Sequence, residues 1–126
     1  MLEIDKMSRV PIYEQVIQKL ELLILTNVLG PNSPLPSVRS LSQELSVNPN
    51  TLQKAYSEME LKGICYSVPG TGRFISENAK DILMRSKREK LDQFKEIVSE
   101  LKLAGICGKE LKMLIDQIYN ISGKEV

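Results

Sequence analysis

The chain has 126 residues, enough for one modest domain or a small domain with an appended helical piece. Hydrophobic residues make up 42%, which supports a globular core and argues against disorder. The net charge is +1, with 7 Lys/Arg against 7 Asp/Glu in residues 1–76 and 10 against 9 in residues 77–126; attraction to an anionic partner must come from local placement, not from a global field.

Several function classes drop out at once. There is no histidine, and Cys65 and Cys107 lack metal-ligand spacing, so the usual zinc sites and His-based catalysis are not available. Both cysteines sit among aliphatic residues and read as buried structural thiols, with a redox-responsive pair as the alternative. No nucleophile–base pair, metal cluster or phosphate-binding loop can be assembled, so neither an enzyme nor a cofactor is expected. The apolar run Leu22-Leu23-Ile24-Leu25 is far too short to span a bilayer, and Met1 to Asp5 does not resemble a secretion signal; a cytoplasmic protein without membrane partners is expected.

In chain order, Met1 to Val10 reads as an extended lead-in, and Pro11 suits the first turn of a helix. Val16, Leu20, Leu23 and Ile24 form a helical stripe that predicts a first helix from Ile12 to about Val28. Gly30-Pro31-Asn32-Ser33-Pro34 breaks it. Ser37 is a good N-cap for a second helix with Val38, Leu41 and Leu45 on its buried face, and Ser46-Val47 forms a tight turn. Asn48 caps a third helix, Pro49 takes its first position, and Leu52, Ala55, Tyr56 and Met59 supply the inner stripe. Gly63 ends this helix in the left-handed conformation. Ile64 to Val68 and Arg73 to Ser76 read as strands around the turn Pro69-Gly70-Thr71-Gly72.

A second unit is expected from about Asn78. Residues 79–104 lack Gly and Pro and predict one long helix, whose Leu91, Phe94, Val98 and Leu101 keep the spacing of a helix-packing seam. Gly105 and Gly108 bracket a turn, and a last helix from Lys109 carries Leu111, Leu114, Ile115 and Ile118. Two such helices cannot bury these faces well alone, which points to a homodimer. The expected fold is mainly α with a small β-hairpin: a winged helix-turn-helix over residues 1–76, then a two-helix C-terminal dimerisation region over residues 77–126 that is also where an effector would act.

These residues resemble the GntR-type bacterial transcription regulators, and within them the YtrA-like branch. The likeness rests on Pro11-Ile12-Tyr13-Glu14-Gln15, Leu35-Pro36-Ser37-Val38-Arg39, Val47-Asn48-Pro49-Asn50-Thr51, Lys54-Ala55-Tyr56 and Gly70-Thr71-Gly72-Arg73-Phe74-Ile75. It is close over roughly residues 10–76, and reaches the tail through its two-helix architecture. Asn27 and Asn32 stand where the family often has Gly, so the same left-handed turns are expected. Arg73 replaces a small wing residue and adds a positive charge near the minor groove or a phosphate.

The resemblance implies that Arg39, Asn48, Asn50, Thr51, Gln53, Lys54 and the wing around Gly70 and Gly72 face double-stranded DNA. Physical chemistry gives each a role. Arg39 can fork onto a phosphate or a guanine edge. Ser37, Asn48 and Thr51 can bond phosphates, assisted by free N–H groups at both helix starts, although capping alone would explain Ser37 and Asn48. Asn50 and Gln53 are candidate base readers, because amides pair bidentately with adenine; solvated surface explains either one equally well taken singly. Lys54 suits a phosphate, and Tyr13 and Tyr56 read as core aromatics. The expected function is that of a dimeric repressor on a pseudo-palindromic operator, answering an unknown small-molecule effector, with neighbouring ABC-transporter genes or its own operon as the family's usual targets. An effector-independent DNA-binding module and a redox switch through the cysteines are the alternatives.

Overall fold

The computed structural model describes residues 2–120. In chain order it holds α1 (Ile12–Leu25), α2 (Val38–Leu45), α3 (Pro49–Leu61), β1 (Cys65–Val68), β2 (Gly72–Ile75), α4 (Ala79–Leu103) and α5 (Gly108–Tyr119). Two compact units divide the chain, Met1–Ser86 and Lys87–Val126; residues 121–126 of the expected tail region lie outside the described residues.

In the first unit, Val16, Leu20 and Ile24 of α1 meet Leu41 of α2 and Leu52, Ala55, Tyr56 and Met59 of α3 in one buried core. The periodicities in the sequence predict these faces, because each buried set recurs every three or four residues. Ser37 and Asn48 cap α2 and α3, their side chains accepting from Ser40 N and Asn50 N. Ser46 (φ 54°) makes the left-handed turn between the two helices. Ile64 and Ile75, at the base of the hairpin, join the same core, as do Ala79 and Leu83 of α4. The core therefore reaches past Asn78, where the sequence suggests a second unit.

α1 ends three residues short of the expected Val28. The Thr26 hydroxyl bonds back to the Leu22 carbonyl at 2.8 Å, and Asn27 then turns left-handed (φ 64°). Asn32 is left-handed too (φ 61°), as anticipated from its place in the family pattern. The lead-in is not a free extended strand. Gln15 is buried on α1, where its amide donates to the Asp5 and Val10 carbonyls and accepts from Asp5 N, each bond within 2.8–2.9 Å. All but one of the amide's hydrogen-bonding sites are thereby engaged, which fastens residues 5–10 to the head.

The hairpin pairs antiparallel in the register Cys65↔Ile75, Tyr66↔Phe74, Ser67↔Arg73 and Val68↔Gly72. Thr71 N closes the turn onto the Val68 carbonyl at 3.0 Å, with Pro69 second and Gly70 (φ 76°) third, a position that demands the left-handed region. A two-stranded ribbon of this size is marginal by itself. Its base is tied down by Leu35 N to Arg73 O, Ile75 N to Ser33 O and Ser76 N to Ile64 O, each 2.8 Å. Three helices followed by this hairpin make a winged helix-turn-helix.

In the second unit, α4 closes at Gly105 (φ 89°) with Ile106 N bonded to the Leu101 carbonyl, and α5 starts at Gly108, one residue before the expected Lys109. None of the described residues from Lys87 onward is buried. Cys107, expected inside, is exposed at the N-cap of α5, because no described element of its own unit covers that position.

Candidate nucleic-acid interface

The exposed face of the helix-turn-helix gathers most of the residues singled out in the sequence. Ser37, Arg39, Asn48, Asn50, Gln53 and Lys54 are exposed, and Thr51 is half-buried, while the opposite face of α3 is sealed in the core. Pro49 at the first position and the exposed Asn50 give α3 a projecting tip of short polar side chains.

The two helix starts differ. At α3 every early N–H is used: Pro49 has none, Asn50 N bonds the Asn48 side chain at 2.8 Å, and Thr51 N and Leu52 N bond the Asn48 carbonyl. The expected free N–H groups are thus absent there. At α2, Ser37 takes up Ser40 N through its hydroxyl and Leu41 N through its carbonyl, which leaves the N–H groups of Val38 and Arg39 as that helix's open donors among the described residues. An anion is better served at α2 than at α3.

The side chains are not uniformly free either. Gln53 Nε2 donates to Ser57 Oγ one turn on, at 3.2 Å. Lys54 Nζ stands 3.9 Å above the centre of the Tyr13 ring, so the start of α1 holds the cation out from α3. Tyr13 is accordingly half-buried and partly a support for Lys54, whereas Tyr56 is a core residue. The Tyr56 hydroxyl donates to the Pro36 carbonyl at 2.8 Å, and burial pushes its ionisation far above the ordinary phenol range, so it stays a donor.

In the wing, Gly70 and Gly72 are exposed at the turn. Arg73 is less free than the sequence suggests. Its Nε meets Glu60 Oε1 at 3.3 Å, and its guanidinium lies 5.4 Å from the Tyr56 ring centre. Ser67 Oγ donates to the same Glu60 oxygen at 2.8 Å. These two hydrogen bonds hold the Glu60 carboxyl below its usual ionisation range. Sequence reasoning passed over Glu60; the signal was its spacing, since Gln53, Ser57 and Glu60 (i, i+4, i+7) share one face of α3. Cys65 is buried, with its thiol donating to the Tyr56 carbonyl at 3.8 Å, and burial raises it to about 11. It is a poor thiolate at neutral pH.

The family model of the gntR family of bacterial regulatory proteins matches residues 12–75, from the start of α1 to the end of the wing. The chain belongs to the GntR family. It is 42% identical to the HTH-type transcriptional repressor YtrA of Bacillus subtilis, over 97% of this chain and 92% of that protein. Among solved structures, a GntR family transcriptional regulator from Listeria monocytogenes superposes with a TM-score of 0.72 at 30% identity, covering 90% of this chain and 98% of that one. The DNA-binding domain of AraR in complex with operator ORX1 matches with a TM-score of 0.55 at 28% identity, over 60% of this chain and 96% of the other. As a GntR regulator the protein is a DNA-binding transcription regulator and not an enzyme. Among the described residues no helix is long and apolar enough to cross a membrane.

Proposed function

We propose that this GntR regulator is a dimeric, sequence-specific repressor whose residues 1–76 form the DNA-binding head and residues 77–126 the dimerisation region. The observation that carries the reading of the head is the exposed polar tip of α3 standing on a fully buried apolar face. Asn50 and Gln53 read base edges, Gln53 by exchanging its bond to Ser57 for one to a base. Arg39, with the open N–H groups at the start of α2, and Lys54 hold phosphates. Ser37, Asn48 and Thr51 combine helix-start geometry with backbone contact, and the wing brings Gly70, Gly72 and Arg73 against the duplex. Arg73 still has both terminal amino groups to offer, because Glu60 engages Nε.

The dimer reading is supported by the tail. Leu91, Phe94, Leu114, Ile115 and Ile118 are exposed, while Val98, Leu101 and Leu111 are only half-buried. A unit with no buried residue among those described gains little from burial of its own apolar surface, and a second copy supplies the missing cover. Two heads would then address half-sites about 34–36 Å apart, or a multiple of that, on a pseudo-palindromic operator. Release by a small-molecule effector requires a ligand that binds one of two states better. The relative named as a repressor supports the sign of regulation; control of transporter genes or of its own operon is the matching expectation for the regulon.

Sedimentation of the full chain with Phe94→Asp and Leu114→Asp tests the assembly. The unsubstituted chain is expected as a dimer at micromolar concentration and the double variant as a monomer that binds duplex DNA far more weakly. A chain that sediments as a monomer without substitution overturns the dimer.

A further inference from the structure

We propose that Glu60 is the positioning residue of the wing, setting the angle of the hairpin against α3. A single carboxylate oxygen, Oε1, accepts from Ser67 Oγ at 2.8 Å and from Arg73 Nε at 3.3 Å. Ser67 lies on β1 and Arg73 on β2, and they are cross-strand partners one rung below the Val68↔Gly72 pair that closes the ribbon. Glu60 therefore grips both strands at the same level, from a helix that belongs to the rigid core through its neighbour Met59. The base of the ribbon is fixed by backbone bonds from the 32–35 segment and Ile64. Leu35 N also bonds the Arg73 carbonyl and the Tyr66 hydroxyl bonds Asn32 Oδ1, both from the 32–35 side; among the described side chains of α3, Glu60 is the one that bonds both strands.

An exposed ion pair of this kind adds about 0–1 kcal/mol to stability, so its consequence is angular rather than energetic. The closing pair Val68↔Gly72 lies three residues beyond the basal pair Cys65↔Ile75, about 10 Å along the strands. Without a hold farther out, rocking the ribbon by about 10° about that basal pair moves the turn by roughly 2 Å, enough to break any hydrogen bond made there. Tyr56 extends the hold, since its ring backs the Arg73 guanidinium while its hydroxyl is tied to Pro36 ahead of α2. The angle of the wing is thus referred to both helices of the helix-turn-helix.

This inference rests on the reading of the wing as a DNA-facing element, and the sign of the effect separates it from simple charge. A carboxylate near DNA repels phosphate, so removing one strengthens binding if charge is all that matters. The test uses the full chain and the tightest duplex that it selects from a random pool. Affinity is followed beside amide order parameters at Gly70 and Gly72 for Glu60→Ala, Glu60→Gln and Ser67→Ala. Glu60→Ala is expected to loosen both glycine amides and weaken the duplex about fivefold, a modest coupling. Ser67→Ala should fall between it and the original. Glu60→Gln, which keeps a neutral acceptor for both partners but loses the charge that draws Arg73, should recover only part of the order and the affinity. Unchanged glycine order in Glu60→Ala overturns the role of Glu60, whatever the duplex does. Loosened glycines with unchanged or tighter duplex binding overturn it through the wing itself, and leave the reading of α3 standing.

Discussion

The Tyr56 hydroxyl donates to the Pro36 carbonyl at 2.8 Å, joining the middle of α3 to the residue before the Ser37 cap of α2. One side chain thus fills the core with its ring and fixes the approach to the second helix with its oxygen. Phenylalanine at this position keeps the ring and loses the bond. Tyr56→Phe is expected to lower stability by about 1 kcal/mol, read as a lower urea midpoint with an unchanged slope.

Lys54 is held over the Tyr13 ring, which keeps its ammonium at the edge of α3 instead of lying along the helix. Replacing Lys54 with Ala should weaken every duplex to a similar degree. The slope of log affinity against log salt should fall by about 1, as expected for one lost phosphate contact. Tyr13→Leu retains the cation and removes its support, so it should act in the same direction by a smaller amount, with base preferences unaltered.

The carboxyl of Glu60 titrates below its ordinary range because Ser67 and Arg73 bond its charged form, with Arg73 as the facing cation. A lowered value in the folded state means that this attachment is complete at neutral pH and weakens toward that of the neutral Gln variant only as acid reaches the folded value. Order parameters at Gly70 and Gly72 should hold constant from pH 7 down through the usual carboxylate range and decline below it. Glu60→Gln should abolish that acid dependence.

How far the sequence speaks follows from the range of each interaction. Asn48 and Pro49 announce the start of α3 because a cap and its helix are adjacent, and the burial of Leu52, Ala55, Tyr56 and Met59 follows from spacing alone. The left-handed Asn27 was likewise expected, but α1 stops before it at Leu25 and not at Val28, since short polar residues overrode an apolar stripe. What was not legible is non-local. Glu60 meets Arg73 only once the hairpin folds back, Lys54 meets Tyr13 only through the packing of α1 on α3, and Gln15 finds Asp5 only when the lead-in doubles over. The free N–H groups expected at α3 failed for a local reason: Asn48 uses both its side chain and its carbonyl on them. Cys107 departs from the expected burial because aliphatic neighbours signal a covered position, and among the described residues of its own unit that cover is missing.

Base reading by the first turns of α3 is the claim on which the regulator's specificity stands, and parallel selection of bound duplexes from a random pool addresses it directly. The unsubstituted chain should enrich one motif with two-fold symmetry. Asn50→Ala and Gln53→Ala should each relax preference at one position per half-site, with about 1–3 kcal/mol of discrimination lost there and the other positions intact. Uniform weakening across all sequences, with the motif unchanged, would contradict it and reduce both amides to holders of the backbone.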